Sequence, residues 1–242
     1  AFSSPPAAGY SSHTWADHQT DILLIMSHLV APSLLAADFA NLASEVEMIN
    51  DSEADWLHLD IMDGLFVPNI SFGFPVMEAV RDLSSKPLDV HLMIVDPDRY
   101  LERFREAGAS NLTVHFEACR NLHRTVTEIR RLGMKAGVTL NPHSPVILLK
   151  DILPYIDMVL LMTVNPGYGG QTFIPGSFNK IGELRSMIDE GGFDVMIEVD
   201  GGVDLHNAPM LVHAGVDVLV AGNTVFSSSD PAEVIRKLKQ PV

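Results

Sequence analysis

From Leu29 onward the chain alternates between short apolar runs and longer amphipathic ones. The segments LVAPSLLA (29–36), WLHLDIM (56–62), PLDVHLMI (87–94), NLTVHF (111–116), KAGVTLN (135–141), MVLLMTV (158–164), DVMIEVD (194–200) and DVLVAG (217–222) have the length and branched apolar content of strands. A segment with helical spacing follows each one: 41–50, 75–83, 98–108, 121–133, 145–156, 178–190, 208–215 and 231–239. The strands are apolar on both faces, as in a parallel sheet covered by helices. Strand–helix alternation implies parallel strands joined by right-handed crossovers. Eight such units in about 215 residues predict a single (β/α)8 TIM barrel. An open doubly wound sheet usually carries a glycine-rich turn after its first strand. The corresponding stretch here, APSLLAADFA, contains no glycine. No composition break marks a second domain, so the barrel is assigned to residues 26–242.

Residues 1–25 break this pattern. They are rich in Ser, Ala, Pro and His and lack periodicity. They also lack the basic start and long apolar stretch of a signal peptide, and the arginines of a transit peptide. The expectation is a disordered or non-native extension, with Met26 as the native start.

Composition narrows the function classes. The net charge of −15 argues against a nucleic-acid partner, because phosphate backbones are held by Lys and Arg. No Lys or Arg precedes Arg81. No apolar run approaches the roughly 18 residues of a membrane span. The single cysteine, Cys119, excludes an internal disulfide and fits a reducing compartment, so a cytoplasmic protein with a buried free thiol is expected.

Two histidines and two carboxylates fall late in apolar strands, just before turns: His58 and Asp60 in WLHLDIMDG, His91 in LDVHLMI, and Asp200 in MIEVDGG. Residues two apart share a strand face, so His58 and Asp60 point one way while Leu57, Leu59 and Ile61 point the other. In these barrels the active site lies at the C-terminal ends of the strands. Two imidazoles and two carboxylates converging there suit a first-row divalent ion, and the carboxylates can double as acid and base. Glu198, two residues deeper than Asp200, is a candidate to orient a ligating imidazole. His115, in LTVHFE, is left out of the metal set.

Three glycine-rich turns follow the last three strands: Asn165-Pro166-Gly167-Tyr168-Gly169-Gly170-Gln171, then Asp200-Gly201-Gly202, then Ala221-Gly222-Asn223. Such turns let backbone N–H groups surround an anion without Lys or Arg, and phosphate is the expected occupant. Met62, Met93 and Met162 lie at neighbouring strand ends, where they would cap a reacting carbon with an apolar, polarizable surface.

The stretches PSLLAADFANL, LHLDIMDGLFVPN, LDVHLMI, LMTVNPGYGGQTFI, IEVDGGV and AGNTVF together resemble the ribulose-phosphate 3-epimerase family, from about residue 28 to residue 238. The resemblance implies a (β/α)8 barrel with one divalent ion (zinc, Fe(II) or manganese, with cobalt as a further candidate). It implies interconversion of D-ribulose 5-phosphate and D-xylulose 5-phosphate in carbohydrate metabolism. His58, Asp60, His91 and Asp200 correspond to metal ligands, and Asp60 and Asp200 to the acid–base pair. Ser33 and His91 correspond to substrate contacts, as do Gly167, Tyr168, Gly169, Gly170, Gly201, Gly202, Gly222 and Asn223. Two positions depart from the family's pattern: Asn223 stands where serine is usual, and Ser144 where threonine is more usual. A small-molecule ketopentose phosphate is thus the expected partner, and a homo-oligomer the expected assembly.

The chemistry read from the residues agrees. Inverting a carbon beside a ketone removes its proton on one face and returns one on the other. Two carboxylates on opposite sides of the substrate can do this, while a cation at the two substrate oxygens stabilises the enediolate. A sibling epimerase acting on a ketohexose 6-phosphate is a close alternative. A decarboxylase on a similar barrel would carry an Asp-x-Lys-x-x-Asp strand; here Asp89-Val90-His91 has His in place of Lys. A catalytically dead phosphosugar-binding module would have lost a ligand or a carboxylate, and all four residues are present.

Overall fold

A computed structural model describes residues 28–240. Eight strands form one parallel sheet: β1 Leu29–Pro32, β2 Leu57–Met62, β3 Leu88–Met93, β4 Ala109–His115, β5 Lys135–Leu140, β6 Met158–Met162, β7 Met196–Asp200 and β8 Val218–Ala221. Each strand pairs with its sequence neighbour from β2 to β8, and β8 pairs with β1. Between β1 and β2 the barrel closes through a single parallel bridge, Ser33 to His58, and the Asp55 N–H bond to the Val30 carbonyl at 2.9 Å. The expected (β/α)8 barrel is the observed architecture. The assignment of residues 1–25 as an extension lies outside the described residues.

The helices are α1 Leu42–Asp51, α2 Phe74–Leu83, α3 Leu101–Glu106, α4 Leu122–Arg131, α5 Ser177–Gly191, α6 Ala208–His213, α7 Asn223–Phe226 and α8 Pro231–Lys239. Segment 145–156, expected as a helix, forms two short 3-10 turns instead, Val146–Leu149 and Leu153–Tyr155. Pro154 lies inside it, and proline removes an amide donor and clashes with the preceding turn. The first strand is shorter than LVAPSLLA suggests, because the chain turns at Leu34–Ala36. The Ser33 hydroxyl caps that turn by accepting from the Leu35 N–H. The apolar pattern gives no sign of the short α7 after β8.

Period-two alternation divides every strand. Leu57, Leu59 and Ile61 of β2, and Leu88, Val90 and Leu92 of β3, join the buried layer under the helices. Each fully buried side chain of this kind contributes about 1.5–3 kcal/mol relative to exposure. The intervening residues face the barrel interior, and on β2 to β4 most of these are polar: His58, Asp60, Asp89, His91, Asn111, Thr113 and His115, all buried, with Met62 and Met93 at the strand ends. Burying so much polarity is unfavourable unless each group finds a partner. The outer apolar layer therefore holds the fold together, and the interior is built for chemistry.

Candidate active site

Strand register decides which interior groups meet. The β2–β3 pairing places His58 beside Asp89 and Asp60 beside His91. The β6–β7 pairing places Met162 beside Asp200. His58, Asp60, His91 and Asp200 each direct one ligand-type atom into a common space, all within 4.8 Å of one another. Asp60 Oδ1 is 3.4 Å from His58 Nε2 and 3.1 Å from His91 Nδ1, and Asp200 Oδ2 is 3.8 Å from His91 Nδ1. His58 Nε2 is buried and has no hydrogen-bond partner among the described residues. An unpaired buried polar atom costs about 1–3 kcal/mol. A cation at this point would remove that cost, and the mixed imidazole and carboxylate donors fit a divalent one.

Above this cluster opens a cavity of about 240 Å³. Asp60 and Asp200 reach it, whereas His58 and His91 lie fully buried beneath. Met62, Met93 and Met162 all line it and are themselves buried, Met62 and Met93 packing with Val67. The glycine turns form its other wall: Gly167, Tyr168, Gly169 and Gly170 after β6, Gly201 and Gly202 after β7, and Gly222 and Asn223 after β8. Ser33 completes the floor, its hydroxyl donating to Asp60 Oδ2 at 2.6 Å. The Tyr168 hydroxyl donates to the Pro68 carbonyl at 2.7 Å, and Asn69 Nδ2 donates to the Gly167 carbonyl at 2.8 Å. The turn after β6 is thereby tied to the loop after β2 across the mouth.

At Gly201 the backbone adopts φ +118°, and a Cβ there would lie 2.4 Å from Val164 Cγ2. Only glycine fits that position. The turn is further held by Thr163 Oγ1, which donates to the Asp200 and Gly201 carbonyls.

The two carboxylates have opposite electrostatic character. Burial opposes the charge on Asp60, yet His58 and His91 outweigh it and hold its carboxyl well below the usual range. Burial raises Asp200, and the Asp60 charge raises it further, to about 7. A dication among the four would draw it down again, since positive charge favours the carboxylate. His58 is raised despite burial, because Asp60 and Asp89 attract its proton. Burial lowers His91.

Sequence reasoning misses one partner and misjudges another. Asp89 Oδ2 bonds His58 Nδ1 at 2.6 Å, whereas Glu198 Oε1 stands 3.7 Å from the same nitrogen. The orienting role assigned to Glu198 therefore falls to Asp89. The available signal is its position two residues before His91, on the same inward face. His115 stays outside the four, but its Nε2 is 2.9 Å from His91 Nε2. Glu117, two residues further on, is the carboxylate that marks it. Cys119 is half-buried, with burial pushing its thiol up to about 12.

Comparison with known proteins places the chain among relatives. The chain is 51% identical over 211 residues to the ribulose-phosphate 3-epimerase of Bacillus subtilis (strain 168), covering 87% of this chain and 97% of that one. It is 49% identical over 218 residues to the enzyme of the same name from Synechocystis sp. (strain ATCC 27184 / PCC 6803 / Kazusa), covering 88% and 95%. Among solved structures, 3-hexulose-6-phosphate synthase from Salmonella typhimurium shares the barrel with a TM-score of 0.66, at 18% identity over 88% of this chain and 97% of that one. That likeness speaks for the fold alone. The sequence pattern of the ribulose-phosphate 3 epimerase family matches residues 29–226, and the chain belongs to that family.

Proposed function

We propose that this chain interconverts D-ribulose 5-phosphate and D-xylulose 5-phosphate by proton exchange at C3 between Asp60 and Asp200. The observation that carries this reading is the presence of both carboxylates in one cavity, beside two imidazoles and opposite three glycine turns. His58, Asp60, His91 and Asp200 would hold one divalent ion (zinc, Fe(II), manganese or cobalt). When bound, it would supply positive charge that favours the enediolate.

The remaining work falls to the protein's own side chains. Asp60, kept ionised by its histidine neighbours and steadied by Ser33, takes the C3 proton on one face. Asp200, which carries a proton at the start of this direction, returns it on the other and is left ionised, and the roles exchange in the reverse direction. Met62, Met93 and Met162 exclude water from the planar carbanionic centre, which protects it and strengthens local electrostatics. The turns at Gly167–Gly170, Gly201–Gly202 and Gly222–Asn223 receive the phosphate through backbone N–H groups. At Asn223, a side-chain amide takes the place of the family's usual hydroxyl.

Among the described residues, no helix is long and apolar enough to cross a membrane. A reducing, cytoplasmic setting is supported by the single cysteine. Homo-oligomer formation is supported by the exposed Leu65, Ile70, Val95 and Tyr100 around one surface groove. Sedimentation as a monomer at micromolar concentration would remove that last part.

The experiment for the activity is NMR of D-ribulose 5-phosphate with the metal-loaded protein in D2O, with and without chelator. Chelator-sensitive formation of xylulose 5-phosphate, with deuterium entering at C3, is the expected result. Absence of exchange and product in folded, metal-loaded protein would exclude the pentose reading. Turnover of a ketohexose 6-phosphate in its place would assign the sibling reaction.

A further inference from the structure

A chain of buried polar contacts leads away from the cavity through His91. Its Nδ1 faces Asp60 and Asp200, and its Nε2 lies 2.9 Å from Nε2 of His115. His115 Nδ1 lies 3.3 Å from Glu117 Oε2. The other oxygen of Glu117 accepts from the Asn141 N–H at 3.0 Å and from the Ser144 hydroxyl. Both histidines are fully buried, and Ser144 is buried with them. The His115 ring is fixed in place between Phe66 and His91, with centroids 4.5 and 5.0 Å away.

Two neutral imidazoles in contact through nitrogen can carry their hydrogens in only two senses, since one nitrogen must donate and the other accept. In the first sense, His91 Nε2–H donates to His115, and His115 Nδ1–H donates to Glu117. In the second, His115 Nε2–H donates to His91, which leaves a lone pair on His115 Nδ1 facing the Glu117 carboxylate. An ionised Glu117 accepts only, so it opposes the second sense; Asp60, 3.1 Å from His91 Nδ1, opposes the first in the same way until a cation takes that lone pair, so Glu117 and a bound cation select the same sense together. Glu117 is kept ionised: hydrogen bonds to it outweigh burial and hold it at about 2. The first sense leaves the lone pair of His91 on Nδ1, the atom that faces Asp60 and Asp200.

We infer that Glu117, acting through His115, is a positioning residue that fixes the tautomer and orientation of His91 for cation binding. This inference rests on the ligand set proposed above. His58 has a direct counterpart in Asp89, so each ligating imidazole has its own carboxylate, one at first hand and one through a second imidazole. Ser144 is part of the same device: it anchors the distant end, and a threonine hydroxyl there would do the same.

The test measures zinc affinity by competition with a chromophoric chelator, together with 15N NMR of the histidine rings in the zinc-loaded wild type. Glu117→Gln and His115→Leu should each lose about 10–100-fold in affinity. His115→Gln, whose amide oxygen can stand at the Nε2 position and accept from His91, should recover most of the loss. The wild-type spectrum should show His115 protonated at Nδ1. His115 protonated at Nε2, or Glu117→Gln binding zinc as tightly as a tightly binding wild type, would overturn the inference while leaving the ligand set intact. A wild type with no zinc affinity, or an Asp200→Asn variant binding as tightly as wild type, would overturn the ligand set and the inference with it. The NMR reading needs no variant, so it holds even if a substitution impairs folding.

Discussion

His58 is held between two carboxylates: Nδ1 lies 2.6 Å from Asp89 Oδ2, and Nε2 lies 3.4 Å from Asp60 Oδ1. With Nδ1–H donating to Asp89, the Nε2 lone pair faces the shared ligand space. Asp89→Asn should therefore lower divalent-metal affinity by about 10–100-fold. Glu198→Gln, which loses only a contact at 3.7 Å, should cost clearly less. Chelator competition on both variants measures the difference, and equal losses would contradict the assignment of the orienting role to Asp89.

Ser33 joins β1 to the catalytic strand by its 2.6 Å bond to Asp60 Oδ2. A hydrogen bond to a charged group contributes about 1.5–3 kcal/mol. Ser33→Ala should leave the barrel folded and reduce kcat by about tenfold or more, since the base loses a fixed donor. Steady-state kinetics beside a circular dichroism melt tests this. Unchanged kcat would show that Asp60 needs no such support.

Gly201 combines a positive φ with a close approach to Val164. Gly201→Ala should destabilise the fold by about 1–3 kcal/mol and raise KM for the sugar phosphate, because the turn after β7 must move. Gly176 provides the control, since a Cβ there would meet nothing within 4 Å and its φ is −61°. Gly176→Ala should melt near the wild-type temperature. Equal behaviour of the two variants would remove the argument.

Acid should weaken the contribution of Glu117. Its folded value of about 2 lies below its ordinary 4.5, so the ionised form stabilises the native state. That contribution is fully present above pH 4.5 and is lost as pH falls through about 2. The difference in urea midpoint between wild type and Glu117→Gln should be largest above pH 4.5 and shrink below it. A difference that stays constant from pH 5 to pH 3 would show that the carboxylate charge is not the stabilising element.

Much of the architecture follows from local pattern. Eight apolar runs with helical segments between them specify a parallel barrel, because each strand must be covered on its outer face and each crossover has one hand. The same period of two places His58, Asp60, His91 and Asp200 on inward faces at the ends of β2, β3 and β7, and marks Met62 and Met93 as their neighbours. Glycine runs at successive strand ends mark the wall that receives an anion. These features depend only on residues within a few positions of each other, so the sequence alone determines them. Which inward residue touches which is decided by register and closure, properties of strands brought together from distant parts of the chain. The β2–β3 register gives His58 to Asp89 and leaves Glu198 at 3.7 Å. The bridge from Ser33 to His58 closes the barrel and brings the Ser33 hydroxyl to Asp60. His115 becomes a neighbour of His91 only because β4 lies beside β3, and through it Glu117 is linked to the buried His91 on another strand.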